Sequence, residues 1–306
     1  MINKEKYFNT PILFIIYNRP EITKKTFAKI KDIKPRHLFI AAEGPNKEKK
    51  GDLEKCNETR KILENIDWPC KIEKRFLRNN QGCALGVSSA ITWFFSKVDK
   101  GIILEDDCLP STSFFYFCQE LLKRYQKNKE IMMISGTNLL GEWKSDKQDY
   151  HFSRQIAIWG WATWRRSWNK YSHNLTELKN KEKIEDIKKW IDNEPYCKYI
   201  MKKTKDTLKG KIDSWGYRWI MSCYINKGKI ITPSKNLVSN LGFSSNAMHT
   251  KNPFSWMANI KAHQIEFPLR VQKDEGIDSE FYNRVIKKVN NPFHRILNKI
   301  FYIILK

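Results

Sequence analysis

The sequence predicts an α/β fold, a mostly parallel sheet flanked by helices, followed by a smaller region and a C-terminal amphipathic helix. Three observations predict it. Short apolar runs alternate with helical stretches through residues 1–110. The runs are apolar at consecutive positions, as in PILFIIY at 11–17 and HLFIAA at 37–42, the pattern of strands covered on both faces. Strand–helix alternation of this kind makes parallel strands joined by right-handed crossovers. A chain of 306 residues, 41% of them hydrophobic, is large enough for a substantial core.

The first strand runs from Pro11 to Tyr17 and gives way to Asn18-Arg19-Pro20. Alternating apolar and Lys positions make Glu21 to Ile30 a helix. His37 to Ala42 is the second strand, ending at Glu43-Gly44-Pro45. Lys47 to Asn65 reads as a charged amphipathic helix and Cys70 to Phe76 as a third strand. Gly86 to Phe95 is a helix with Val87, Ala90, Ile91 and Phe94 on one face. Ile102 to Leu104 is the fourth strand. Beyond Asp107 the pattern loosens. Phe114 to Tyr125 is a helix, Ile131 to Ser135 a strand, and WGWATWRRSW at 159–168 a distinctive aromatic segment. Glu177 to Lys211 is a Lys/Glu-rich helical region expected to be solvated. Trp215 to Ile225 is a helix and Lys229 to Thr232 a short strand. No repeat or Gly/Ser linker divides the chain. The expected organisation is one domain over 1–250, with halves at 1–110 and 111–250, and a basic helical tail over 251–306.

That tail is unusual. From Phe281 to Lys306 there are six Lys/Arg and no Asp or Glu. Phe293, Ile296, Leu297, Ile300, Phe301 and Ile304 share one helical face. Such a helix either lies on an anionic membrane surface or docks on the body of the protein. The net charge of +23 favours an anionic partner, although Lys is spread along the chain and mixed with Glu, as on an ordinary solvated surface. The seven cysteines include no CxxC pair, which argues against a zinc site and a disulfide framework and for a reducing cytosol. Met1 to Asn9 is polar, without the apolar core of a signal peptide. No apolar run is long enough to span a bilayer.

The chemistry concentrates at Gly101 to Asp107, GIILEDD. An apolar strand runs straight into three carboxylates, which repel one another unless a counter-charge is present. A divalent cation would supply it. Mg²⁺ and Mn²⁺ take hard oxygen ligands and share their shell with substrate phosphates, and ligands of open α/β sheets bind at the carboxyl ends of the strands. In an extended backbone Glu105 and Asp107 face one way and Asp106 the other. The bland alternative is an acid-rich helix start. Asn18-Arg19 and Glu43-Gly44-Pro45 also follow strands and so lie at the same edge. There Arg19 can pair with a phosphate and Glu43 can accept from a base N–H, or both are ordinary turn chemistry. Arg78-Asn79-Asn80-Gln81-Gly82 opens a helix whose N–H groups can face an anion, without a Walker or GxGxxG pattern. Asp213, beside Trp215, is a candidate general base if desolvated, or a helix cap. Trp215 and Trp161 are candidates for stacking on an acceptor sugar. His249 is a candidate metal or phosphate contact.

PILFIIYNRP, AAEGP, GIILEDDCLPSTSFFYF and WGWATW, in that order, resemble the GT-A glycosyltransferases. The nearest resemblance is to the family of eukaryotic N-acetylglucosaminyltransferase I and its bacterial relatives. It runs from about Pro11 to Thr250, and the strand with its EDD is its most specific part. The resemblance implies a Rossmann-like nucleotide-sugar domain with a smaller acceptor side. It also implies inverting transfer from a UDP-sugar such as UDP-GlcNAc, with Mn²⁺ or Mg²⁺. By position, Arg19 and Glu43 would contact the nucleotide, Glu105 the donor sugar, Asp106 the ribose and Asp107 the metal. Asn18, Arg78 and Gly82 would complete the donor side. The segment Asn240 to His249 would close over the diphosphate. Two departures stand out. Glu43 replaces the family's usual Asp. The family's base lies in a Trp-Asp-Asp-Trp-like segment, whereas Trp215 is followed here by Gly216-Tyr217, leaving Asp213 as the nearest acid. The expected function is transfer of a sugar to a glycan or glycolipid acceptor for a bacterial surface glycan, in the cytoplasm, with the tail on the inner leaflet. Two alternatives are a sugar-nucleotide nucleotidyltransferase, which should carry a Gly-rich N-terminal loop, and a nucleic-acid-binding protein, which should show a basic recognition motif. Neither feature is present, so no nucleic-acid partner is expected.

Overall fold

The computed structural model describes residues 7–243, 256–258, 260–271 and 275–291. The first strands and helices are β1 (Ile12–Ile16), α1 (Pro20–Ile33), β2 (His37–Ala42), α2 (Asp52–Lys61), β3 (Lys71–Phe76), α3 (Gly82–Lys97) and β4 (Lys100–Glu105). A short β5 (Cys108–Pro110) leads into α4 (Thr112–Arg124), β6 (Ile131–Ser135), β7 (Tyr150–Ser153), β8 (Trp161–Trp164) and α5 (Arg165–Trp168). Then come α6 (Lys181–Ile191), α7 (Glu194–Leu208), α8 (Gly216–Ile225), β9 (Lys229–Pro233), β10 (Val238–Asn240) and α9 (Ser279–Val289).

Eight strands form one sheet in the order β3-β2-β1-β4-β8-β6-β9-β7. Only β7 and β8 run against the other six, so the sheet is mixed and mainly parallel, as expected. The apolar runs are explained by burial on both sides. In β1, Ile12, Phe14 and Ile16 pack with Phe27 and Ile30 of α1 and Phe114 and Leu121 of α4. Leu13 and Ile15 point the other way, into a layer with Val87, Ile91 and Phe94 of α3 and Trp219 of α8. This is the two-residue period of a strand inside a continuous apolar run. After β3 the chain crosses back over β2 and β1 to β4. The β1/β4 junction is therefore the point where the strand order reverses, and the place where such sheets bind ligands.

The expected strands and helices form, with revised limits. α3 begins at Gly82 rather than Gly86, and the helix expected from Lys47 begins only at Asp52. β5, β7 and β10 are three or four residues long, too short to show a period. The region 177–211 is not simply solvated: α6 and α7 bury Ile187, Ile191, Tyr196, Cys197 and Ile200 against the α3 side of the sheet. The two expected halves share one sheet, since β6 to β9 of the second half continue it. The described part of the expected tail is also not separate. Ile265 and Leu269 join the core, and α9 buries Phe281, Tyr282, Val285 and Ile286. The amphipathic face at 293–304 lies outside the described residues. Among the described residues, no helix is long and apolar enough to cross a membrane.

Candidate active site

β4 pairs with β1 up to Glu105, opposite Ile15. Freed from the ladder, Asp106 and Asp107 turn before β5. The extended arrangement expected for the three carboxylates therefore does not form. Instead one guanidinium gathers two of them. Arg19, just before α1, donates through Nη2 and Nε to Asp106 and through Nη1 to Asp107 at 3.0 Å. Thr26 of α1 donates to the Asp106 carbonyl at 2.7 Å. The counter-charge expected of a cation is thus partly supplied by the chain, and Arg19 meets carboxylates where a phosphate contact was expected. Burial works against the Arg19 charge, but Asp106 and Asp107 hold its pKa above the ordinary value.

Three carboxylates against one guanidinium leave acid in excess. Burial, followed by the charges of Asp107 and Asp106, pushes Glu105 up to about 8, against Arg19 and a hydrogen bond from the Trp215 indole. Asp106 is also raised, by burial first, despite Arg19. Among the described residues no three His, Cys, Asp or Glu side chains form a closed metal-binding set. The donor set nevertheless fits a hard cation held by few protein ligands and completed by phosphate oxygens. Asp107 faces the cavity with its side chain 18% exposed, whereas that of Asp106 is 3% exposed and clamped by Arg19. The backbone N–H of Leu241, just past β10, donates to the Asp107 carbonyl at 2.7 Å. The start of the segment expected to close over a diphosphate therefore lies against Asp107; His249 itself is outside the described residues.

These groups line a cavity of about 1960 Å³, with Asn18, Glu43, Gly82 and Trp215 on its walls. Its β1–β2 wall is organised by Asp52, which sequence reasoning missed. Asp52 is buried and accepts from Tyr17 Oη at 2.6 Å, Asn18 Nδ2 and the Asn46 N–H at 2.7 Å. It ties the loops after β1 and β2 together, and these bonds hold its pKa below the ordinary value although burial opposes them. In sequence it was one more acid at a helix start. Glu43 Oε1 accepts the N–H groups of Gly44 at 2.9 Å and Gln81 at 3.0 Å. Its Oε2 occupies the space a Cβ on Gly86 would need, so a side chain there would displace that carboxylate. Burial raises the Glu43 pKa even against those two N–H groups and Arg75. Arg78 is exposed and does not line the cavity; Arg75 of β3 lines it instead.

The opposite wall corrects three expectations. Asp213 does not stand free as a base: its Oδ2 accepts the Cys83 N–H at 2.7 Å and its Oδ1 the Ala84 N–H at 2.8 Å. The same bonds fill the α3 N-terminus that was expected to face a ligand anion. Trp161 is 1% exposed and stacks on Trp215 with centroids 5.7 Å apart, so it backs Trp215 and offers no face to a sugar. Trp215 touches the cavity, but it is 2% exposed. Beyond it, Lys198, Tyr199, Lys202 and Lys203 of α7 line the far side.

No family description and no curated protein matches the chain. Among solved structures it is similar to a UDP-glucose pyrophosphorylase complexed with UDP-glucose, at 12% identity and a TM-score of 0.38, covering 75% of this chain and 92% of that one. It is similar to the inositol-1-phosphate CTP transferase from T. maritima at 9% identity and 0.37, covering 83% and 98%. It is also similar to the apo form of mouse xyloside xylosyltransferase 1 at 7% identity and 0.34, covering 70% and 81%. Likenesses of this degree assign no activity to the chain.

Proposed function

We propose that this protein is a metal-dependent glycosyltransferase that moves a sugar from a nucleotide sugar, with UDP as the nucleotide, to a glycan or glycolipid acceptor. The observation that carries the reading is the acid cluster Glu105-Asp106-Asp107 at the β1/β4 reversal, opening on one large cavity. Loops after parallel strands meet there, so a nucleotide can lie along the β1–β2 wall and its diphosphate above Asp107. Asp107 would hold Mn²⁺ or Mg²⁺, which when bound neutralises the leaving diphosphate. Arg19 orients Asp107 and, through its second edge, holds Asp106 in place. Glu43, Asn18 and the Asp52-bound loops shape the nucleotide wall. Glu105, half-buried and lining the cavity with Trp215, would face the place where the sugar sits. Acceptor chemistry, inverting stereochemistry and GlcNAc as the sugar belong to this reading through the family resemblance, as does a place on the inner membrane face through the basic tail.

One observation favours glycosyl transfer over nucleotidyl transfer. The β1–α1 connection is three residues, Tyr17 to Arg19. All three side chains are tied to Asp52, Asp106 or Asp107. That connection holds no glycine-rich turn whose amides would cradle a triphosphate.

The test is thermal stabilisation by UDP, UDP-GlcNAc and UDP-glucose, each with and without Mn²⁺. A ligand bound only by the native state raises the melting temperature with its occupancy, by about 2.7 kcal/mol of stability at a hundredfold its Kd. A Mn²⁺-dependent shift with a UDP ligand, abolished in Asp107→Ala with the fold intact, is the expected result. An unchanged metal-dependent shift in that variant removes Asp107 as ligand. No shift with any nucleotide overturns the reading, and release of pyrophosphate rather than UDP on turnover replaces it with nucleotidyl transfer.

A further inference from the structure

We propose that Asp213, an exposed residue flanked by the cavity-lining Ile212 and Ser214, is a positioning residue that caps the α3 N-terminus from the opposite wall and so sets the separation between the Glu43 wall and the Trp215–Glu105 wall. The first N–H groups of a helix have no partner within it. In α3 they are taken in succession by side chains from three places. Gln81 N donates to Glu43 at 3.0 Å, Gly82 N to Asn80 at 3.1 Å, Cys83 N to Asp213 at 2.7 Å and Ala84 N to Asp213 at 2.8 Å. Glu43 belongs to the nucleotide wall. Asp213 lies two residues before Trp215, which lines the cavity together with Glu105. One helix start therefore pins two walls that are far apart in sequence.

Gly82 shows how tightly the junction is built. It has φ +80°, and a Cβ there would stand 2.6 Å from Asp213 Oδ2. A side chain at position 82 would push the carboxylate off the amides. Each carboxylate oxygen accepts one N–H group; in an asparagine the amide nitrogen would stand where one oxygen does and face a donor with a donor.

The functional part of this inference rests on the cavity being the nucleotide-sugar site; the mechanical part does not. Asp213→Asn and Gly82→Ala are compared with the wild type by backbone hydrogen exchange and by calorimetric titration with UDP and Mn²⁺. The second variant keeps the carboxylate but strains the φ +80° backbone as well as the seat, so only effects common to both variants are assigned to the lost bonds. Both variants are expected to exchange faster at residues 81–84 and also at 43–44 and 214–217. Both are expected to bind UDP·Mn²⁺ weaker by on the order of tenfold, as is usual when a residue that orients a site is lost. Faster exchange confined to 83–84 with unchanged affinity makes Asp213 a local cap and overturns the proposal. So does Asp213→Asn with normal exchange and affinity that turns over slowly and has lost the acid limb of its pH profile, the signature of a base. A wild type that binds no nucleotide sinks the donor-site reading alone; unchanged exchange on both walls then overturns the positioning role independently.

Discussion

Arg19 lies 30% exposed against Asp106, whose side chain is 3% exposed. The two ends of this contact are therefore unequal. Removing the guanidinium leaves the Asp106 carboxylate, which water reaches poorly, beside Asp107 of the same sign, and an unpaired buried charge is costly. Arg19→Leu is expected to lower the unfolding free energy by about 1–3 kcal/mol, read from urea denaturation. If Asp107 binds metal, Mn²⁺ should recover more stability in the variant than in the wild type. Equal recovery would place the cation elsewhere. Asp213 shows what can be read at this scale from sequence. An acid beside a tryptophan is visible there. Whether its oxygens are free is not, because the donors at Cys83 and Ala84 are 130 and 129 residues away.

Helix α9 is held on β7 by contacts that carry their own pH dependence. His151 of β7 is fully buried, packs on Phe281 at 4.2 Å between ring centroids, and has no hydrogen-bond partner at either ring nitrogen among the described residues. Burial lowers its pKa to about 4; Asp278 pulls the other way and Lys144 adds to the lowering. The folded state thus favours neutral His151. Its contribution is complete above the unfolded value of about 6.5 and is lost as pH falls toward 4. The melting temperature should drop between pH 7 and pH 4, and His151→Phe should flatten that drop. An identical pH profile in the variant would assign the acid sensitivity to other groups. The apolar face read from the sequence lies at 293–304, beyond α9 and outside the described residues, so the docked face of α9, Phe281, Tyr282, Val285 and Ile286, went unread.

One sheet runs from β3 to β7, and Ile265, Leu269 and α9 join its core, so unfolding should be a single event. Phe281→Ala empties a fully buried site and is expected to cost about 3–5 kcal/mol. It should lower the midpoint of one calorimetric transition. A second, low-temperature transition would show α9 to be an independent unit. The sequence by itself determined the α/β class, the first strands to within a residue or two, and the clustering of Asn18, Arg19, Glu43 and Glu105 to Asp107 at one edge. Apolar runs and turn residues are local signals, and parallel strands put their carboxyl ends together whatever their order. Only the tertiary structure decided which partner each charged group meets: Arg19 on two aspartates, Asp52 under two loops, Asp213 on a distant helix start, and Trp161 behind Trp215. Those pairings join residues tens to more than a hundred positions apart. They follow from strand order and helix packing, which no local period encodes.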